Sequence, residues 1–238
     1  MRSRQWGLNG GIVLPILAAL LVAPGCCSLR LSGGAGFVPE PGDLLFQDLD
    51  GSPFCDAVEK VTQGHRGADI THVGIVARDT DGAIVVLEAV QEGVVATSLD
   101  AFLGRSRDAG GKPKVLVGRL RRGYRQLIPT ALVEAASLRG KPYDKVFDVH
   151  NDAYYCSELI YVCFRNANGG TPVFDLGPMT FVDPDTQETF PAWKSYFADL
   201  GVPIPEGMPG LNPGGISRSS ALRIVHAYGN PTGWKGKR

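Results

Sequence analysis

The sequence reads as an α+β domain on three observations. Residues 71–77 and 83–89 are apolar, β-branched runs joined by Asp79-Thr80-Asp81-Gly82, which marks an antiparallel hairpin. Val115-Leu116-Val117-Gly118-Arg119-Leu120 supplies a third strand of the same kind. Beyond Cys156, apolar residues recur at Leu159, Ile160, Cys163 and Phe164 with the spacing of one helix face. At 238 residues with 44% hydrophobic content, one domain of this class can bury a sizeable core.

The other elements follow from local chemistry. Pro41-Gly42 turns the chain into a short strand at 43–46, and residues 52–63 suit a short helix before the loop Gly64-His65-Arg66-Gly67. Residues 128–139 form a helix, with Pro129 suited to its first turn and Gly140 to its C-terminal end. Lys141-Pro142-Tyr143-Asp144 turns toward Cys156, and the polar run 144–152 around Phe147 suits the rim of a cleft. The Pro-rich stretch 171–215 holds one expected helix, 191–200, and is otherwise read as loops, and residues 222–227 close the sheet.

The N-terminus has the pattern of an export signal. Arg2 and Arg4 precede an apolar run from Gly11 to Ala23 that is too short to span a membrane. Val22-Ala23-Pro24-Gly25-Cys26 resembles a bacterial lipoprotein cleavage box, which makes Cys26 the expected lipidation site and membrane anchor; a secreted or periplasmic soluble protein is the alternative. The expected organisation is a signal segment 1–25, a Gly-rich linker 26–40 and a domain 41–238. Net charge is zero and Arg119, Arg121 and Arg122 are the densest basic group, which suits a solvated rim and gives no footprint for nucleic acid.

Of the five cysteines, Cys55, Cys156 and Cys163 fall in the domain. There is no C-x-x-C spacing, so a structural zinc site is not expected, and the reading calls for no cofactor. Cys156 and Cys163 lie roughly 10 Å apart along one helix, too far to bridge. Any disulfide would have to use Cys55.

Cys156 stands where an extended segment meets a helix, and there the unpaired N–H groups and the positive end of the macrodipole favour a thiolate. It is equally in phase with the buried stripe of Ile160 and Cys163, so position alone supports a nucleophile and a core residue alike. Cys163, two turns in, reads as inert core. His72 at the entrance of the first hairpin strand and Glu88 near the adjoining end of the second are ionisable groups in apolar runs. Cysteine, histidine and acid together are what thiol acyl chemistry needs: a nucleophile, a base for its proton, and an acceptor that fixes the base's tautomer. His65, His150 and His226 sit in less suitable places, in a Gly-rich loop, a polar turn and a late strand.

Strand parity makes the set testable. A two-residue hairpin loop would turn Glu88 away from His72. A three-residue loop Thr80-Asp81-Gly82, with Gly82 in the left-handed conformation, puts Glu88 opposite Gly74 and diagonal to His72 on one face. A Glu88 carboxylate bonded to one imidazole nitrogen, with the other toward Cys156, is therefore expected.

The blocks Gly42-Asp43-Leu44-Leu45-Phe46, Thr71-His72-Val73-Gly74-Ile75-Val76, Leu87-Glu88-Ala89, Gly140-Lys141-Pro142-Tyr143-Asp144 and Tyr155-Cys156-Ser157-Glu158-Leu159 occur in that order. They resemble the circularly permuted NlpC-type papain-like amidohydrolases, in particular the YiiX/YebB-like branch, in which histidine and glutamate precede the cysteine. The resemblance implies an antiparallel sheet packed against the helix that carries the nucleophile. It implies Cys156 as nucleophile, His72 as base and Glu88 as its orienting acid, with Cys156 and Tyr155 at the oxyanion and substrate-binding site. It also implies a cell-envelope thiol hydrolase acting through an acyl-enzyme on an amide or ester, the substrate a cell-wall peptide or a lipid acyl group. A non-catalytic envelope protein that binds a lipid or peptide in the same cleft is the alternative.

Overall fold

The structure is a computed structural model and describes residues 36–236. The signal segment, Cys26 and the linker up to residue 35 lie outside the described residues. Strand β1 (Leu44–Gln47) leads to α1 (Pro53–Val61), whose N-cap Ser52 accepts from the Cys55 N–H at 3.2 Å and whose first turn begins with proline. Then come β2 (His72–Arg78), β3 (Ile84–Val90), β4 (Gly93–Ser98), α2 (Leu99–Gly104) and β5 (Val115–Leu120). Helices α3 (Ile128–Ser137) and α4 (Cys156–Ala167) follow, then β6 (Gly177–Pro178), α5 (Pro191–Leu200), β7 (Pro209–Gly210), α6 (Pro213–Ser217) and β8 (Leu222–Ala227).

Six strands form one sheet in the order β4-β3-β2-β1-β5-β8, every neighbouring pair antiparallel. Its alternating residues divide between two cores, as the period-2 strand requires. Leu44, Phe46, Val73, Ile75 and Leu87 face α3 and α4, packing with Ala131, Ala135, Leu159, Ile160, Cys163 and Phe164. Leu45, Val76, Val86, Val115 and Val117 face the other way, against Phe102 and Leu103 of α2. The expected α+β class with the cysteine helix against an antiparallel sheet is what forms. Cys163 is fully buried on α4, and its thiol is pushed up to about 12 by burial, then by Glu134. Cys163→Ala should therefore lose roughly 1 kcal/mol or more by cavity formation, read as a lower denaturation midpoint, with hydrolysis unchanged.

Three local expectations change. Gly140 is not the cap of α3: Leu138 is, and Gly140 takes a positive φ of 85° two residues later. The stretch 171–215 is not loops around one helix, since it also contains the β6–β7 ribbon and the start of α6. The ordered packing begins before Pro41: Phe37 stacks on His226 at 4.0 Å, and Glu40 pairs with Arg119 at 2.7 Å. The domain cysteines Cys55, Cys156 and Cys163 are all free thiols.

Candidate active site

The β2–β3 hairpin sets the site. Asp79 and Ala83 close it by the Asp79 N–H donating to the Ala83 carbonyl at 3.0 Å, which leaves Thr80, Asp81 and Gly82 as the loop, with Gly82 at φ 80°. Ile75 pairs with Leu87 and Val76 with Val86, so the partner numbers sum to an even value. One step further on that register, Glu88 faces Gly74 and shares a face with His72. A Cβ at Gly74 would come within 3.3 Å of the Glu88 Cβ, so the glycine provides the space in which the carboxylate leans toward the imidazole.

The result is a hydrogen bond of 2.6 Å between His72 Nε2 and Glu88 Oε2, both residues buried. Two residues that the sequence reading did not single out complete the carboxylate's shell. Arg105, just after α2, donates Nη1 to Oε2 at 2.7 Å and Nη2 to Oε1, and the Thr97 hydroxyl of β4 also donates to Oε1. Burial raises the Glu88 carboxyl, but the hydrogen bonds from Arg105, His72 and Thr97 outweigh it and hold the group down at about 2. Glu88 is thus a fixed anion.

Cys156 opens α4, with Tyr155 as N-cap, and is 8% exposed. Burial raises its thiol, yet the hydrogen bond and charge of His72, the Val73 N–H and Ser157 bring it below the ordinary value. Burial lowers the His72 imidazolium, and hydrogen bonding to Cys156 and Glu88 more than offsets this, raising it to about 9. Because Nε2 is held by Glu88, Nδ1 is the nitrogen that serves the sulfur. Glu158, at the third helical position, accepts from the Tyr155 N–H at 3.2 Å. Burial first, then Asp144 and Asp148, raise its carboxyl to about 8 against that bond. A neutral Glu158 leaves the thiolate as the charge that answers the helix N-terminus.

The pH dependence follows from these signs. The thiolate–imidazolium pair exists below the His72 value of about 9 and above the depressed thiol value. Loss of the imidazolium proton removes the acid needed for the leaving group. We expect kcat/KM to hold through neutral pH and fall as pH rises through about 9, measured from pH 4 to 10.5. For stability, His72 contributes fully below its unfolded value of 6.5 and loses that contribution as pH rises through about 9. Glu88 contributes above its unfolded value of 4.5 and loses that as pH falls through about 2.

Cys156 lies in the wall of a cavity of about 600 Å³. The stretch 171–215 supplies Phe174, Met179, Phe181 and Trp193, α1 supplies Phe54, and the 144–152 loop supplies Phe147. Phe147 is held at φ 57°, a left-handed conformation that costs roughly 1 kcal/mol or more, by edge-to-face contacts with Tyr155, Trp193 and Phe197. The buried Asp144 carboxylate braces this loop by accepting from the N–H groups of Val146 and Asp148 at 2.9 and 2.6 Å. Tyr155 lines the same cavity, and its hydroxyl accepts from the Leu211 N–H at 3.3 Å. His65, His150 and His226 lie outside the cavity wall. Among the described residues, no group of three or more His, Cys, Asp or Glu side chains could hold a metal ion.

A thiol at a helix N-terminus, facing a histidine and an anchored carboxylate on an antiparallel sheet, defines a papain-like cysteine hydrolase. Residues 38–226 match the permuted papain-like amidase family C92, which includes YaeF and YiiX, and the chain belongs to that family. It is 32% identical over 133 residues to the uncharacterized protein YiiX of Escherichia coli K12, a match covering 55% of this chain and 60% of that protein. The crystal structure of the metalloprotein YiiX from Escherichia coli O157:H7 is similar with a TM-score of 0.65 and 25% identity, covering 80% of this chain and 98% of the other.

Proposed function

We propose that this cysteine hydrolase removes an acyl group from an amide or ester at the cell envelope. The observation that carries the acyl assignment is the aromatic side of the cavity beside Cys156, built by Phe54, Phe147, Phe174, Phe181 and Trp193, with Asp175 as the one carboxylate of the lining. Such a wall gains from burying hydrocarbon, while Thr62, Thr71, Thr180 and Asn212 supply the polar groups that orient the carbonyl end. Cys156 attacks the carbonyl carbon, and the Cys156 backbone N–H and the walls near Tyr155 receive the developing oxyanion and the acyl chain. The His72 imidazolium gives its proton to the leaving amine or alcohol, and the C–N or C–O bond breaks to leave a thioester. His72 then takes a proton from water, which attacks the thioester and returns the carboxylic acid and the free thiolate. Glu88 fixes the His72 ring throughout.

The test is a screen of N-acyl amines, acyl lipids and muropeptides against wild type and Cys156→Ala. Release of fatty acid by wild type alone supports the reading, and cleavage restricted to muropeptides overturns the acyl assignment. The envelope address rests on the pattern of Arg2, Arg4, the 11–23 run and Cys26 in the sequence. Mass spectrometry of protein from the native host should find a chain starting at Cys26, diacylated, or at a later residue. An uncleaved Met1 would refute export.

A further inference from the structure

We infer that a basic pocket adjoining the catalytic cavity binds a phosphate group of the substrate, which would make the substrate an acyl lipid with a phosphate headgroup. This rests on the acyl-hydrolase reading and deepens it. The pocket, of about 430 Å³, is lined by Arg66, Arg121, Arg218 and Arg223 and by no acidic residue. Among the described residues none of the four guanidinium groups is in an ion pair. Their neighbour Arg119 is different: it is tied to Asp43 and Glu40.

All four are exposed, and Arg66 and Arg121 already donate to the Gly236 and Ser220 carbonyls at 2.5 and 3.0 Å. No carboxylate of the pocket answers their charge, and like charges gathered at one concavity favour an anion shared between them. Guanidinium groups suit phosphate because their forked N–H donors match its oxygens. The same pocket is lined by the half-buried Trp234, whose ring adds an apolar wall beside the arginines. Position links the pocket to the chemistry: Ser219 and Ser220 line both this pocket and the cavity that contains Cys156. A molecule with its acyl chain against the aromatic walls and its phosphate among the arginines would span the two.

Isothermal titration of full-length Cys156→Ala, which binds without turnover, tests this with dihexanoylphosphatidate and the neutral dihexanoylglycerol. Phosphatidate should bind about tenfold tighter or more, and inorganic phosphate should compete with it. In Cys156→Ala/Arg218→Gln/Arg223→Gln the ratio of the two affinities should collapse to about one. If that variant fails to fold, the Arg223→Gln change alone, at an exposed position, should still lower the ratio severalfold. A ratio near one before the arginines are changed, or one that survives their loss, overturns the inference. Inorganic phosphate binding without preference for phosphatidate also overturns it, since the pocket would then be a free-phosphate site. A preserved ratio with no hydrolysis of either lipid by wild type would instead refute the acyl-lipid substrate reading and leave the pocket standing.

Discussion

Cys156→Ser and His72→Ala should each lower kcat/KM by about 10⁴-fold or more, and the double variant by little more than either alone, because nucleophile and base act as one unit. Both side chains lie at the margin of the core, at 8% and 6% exposure, so the variants should keep the wild-type circular dichroism spectrum. The His72→Ala change also removes the charge that holds the thiolate, and it should move the acid limb of any residual activity upward. A His72→Ala protein that kept most of the wild-type rate on a true substrate would show that another group takes the proton.

Glu88→Gln should have the next largest effect, and on two observables at once. A neutral amide can either accept from Nε2 or donate to it, so the tautomer is no longer imposed and the imidazolium loses its counter-charge. Loss of an orienting carboxylate in such a set lowers turnover by roughly 10²–10⁴-fold. One of the bonds that raise His72 to about 9 is also lost, so the alkaline limb of the pH profile should move down. The same change leaves Arg105 beside a neutral amide. Breaking a buried ion pair costs about 3–5 kcal/mol. Here the Arg105 side chain is 29% exposed and keeps some hydration, so a loss of about 2–3 kcal/mol is expected. The checks are the kcat/KM pH profile and the urea midpoint. An unshifted alkaline limb would mean that Glu88 has only a structural role.

The relation of Glu88 to His72 was legible because it depends on parity. Gly82, the residue able to take a positive φ at that loop position, fixes the loop length, and loop length fixes which residues share a face. Helix α5 and strand β8 were legible with the observed limits because proline and apolar period mark their ends. The carboxylate's other partners were not. Thr97 comes from β4 and Arg105 from the cap just after α2, and β4 is reached through Gln91-Glu92, a turn without an Asn-Gly or Asp-Gly signal, in which Gly93 carries the positive φ one residue later. An arginine just past a six-residue helix reads as solvent-facing, and only tertiary packing shows it against a buried carboxylate.

Helix α6 failed to announce itself for a similar reason. Its Gly214-Gly215 pair has poor helix propensity, and packing holds it: Pro213 and Gly214 are buried, and a Cβ at Gly214 would come within 3.0 Å of the Thr62 carbonyl oxygen. The Asn212-Pro213 cap, with the Asn212 side chain accepting from the Gly215 N–H at 2.7 Å, was the one local signal for it. The aromatic cavity wall was equally non-local. Phe54, Phe147 and Trp193 are far apart in sequence and meet only when α1, the 144–152 loop and α5 come together.

The central claim is that Cys156 is a thiolate at neutral pH because His72, anchored by Glu88, holds it there. Iodoacetamide labelling at pH 6, read by peptide mass spectrometry, tests this within one protein, with Cys163 as a buried control and Cys55, half-buried in the same cavity wall, as a thiol away from His72. Cys156 should label faster than in the denatured chain despite its burial, lose that advantage in His72→Ala, and be protected by a bound acyl ligand, while native Cys163 stays unlabelled. Labelling of Cys156 at pH 6 no faster than in the denatured chain would contradict the account.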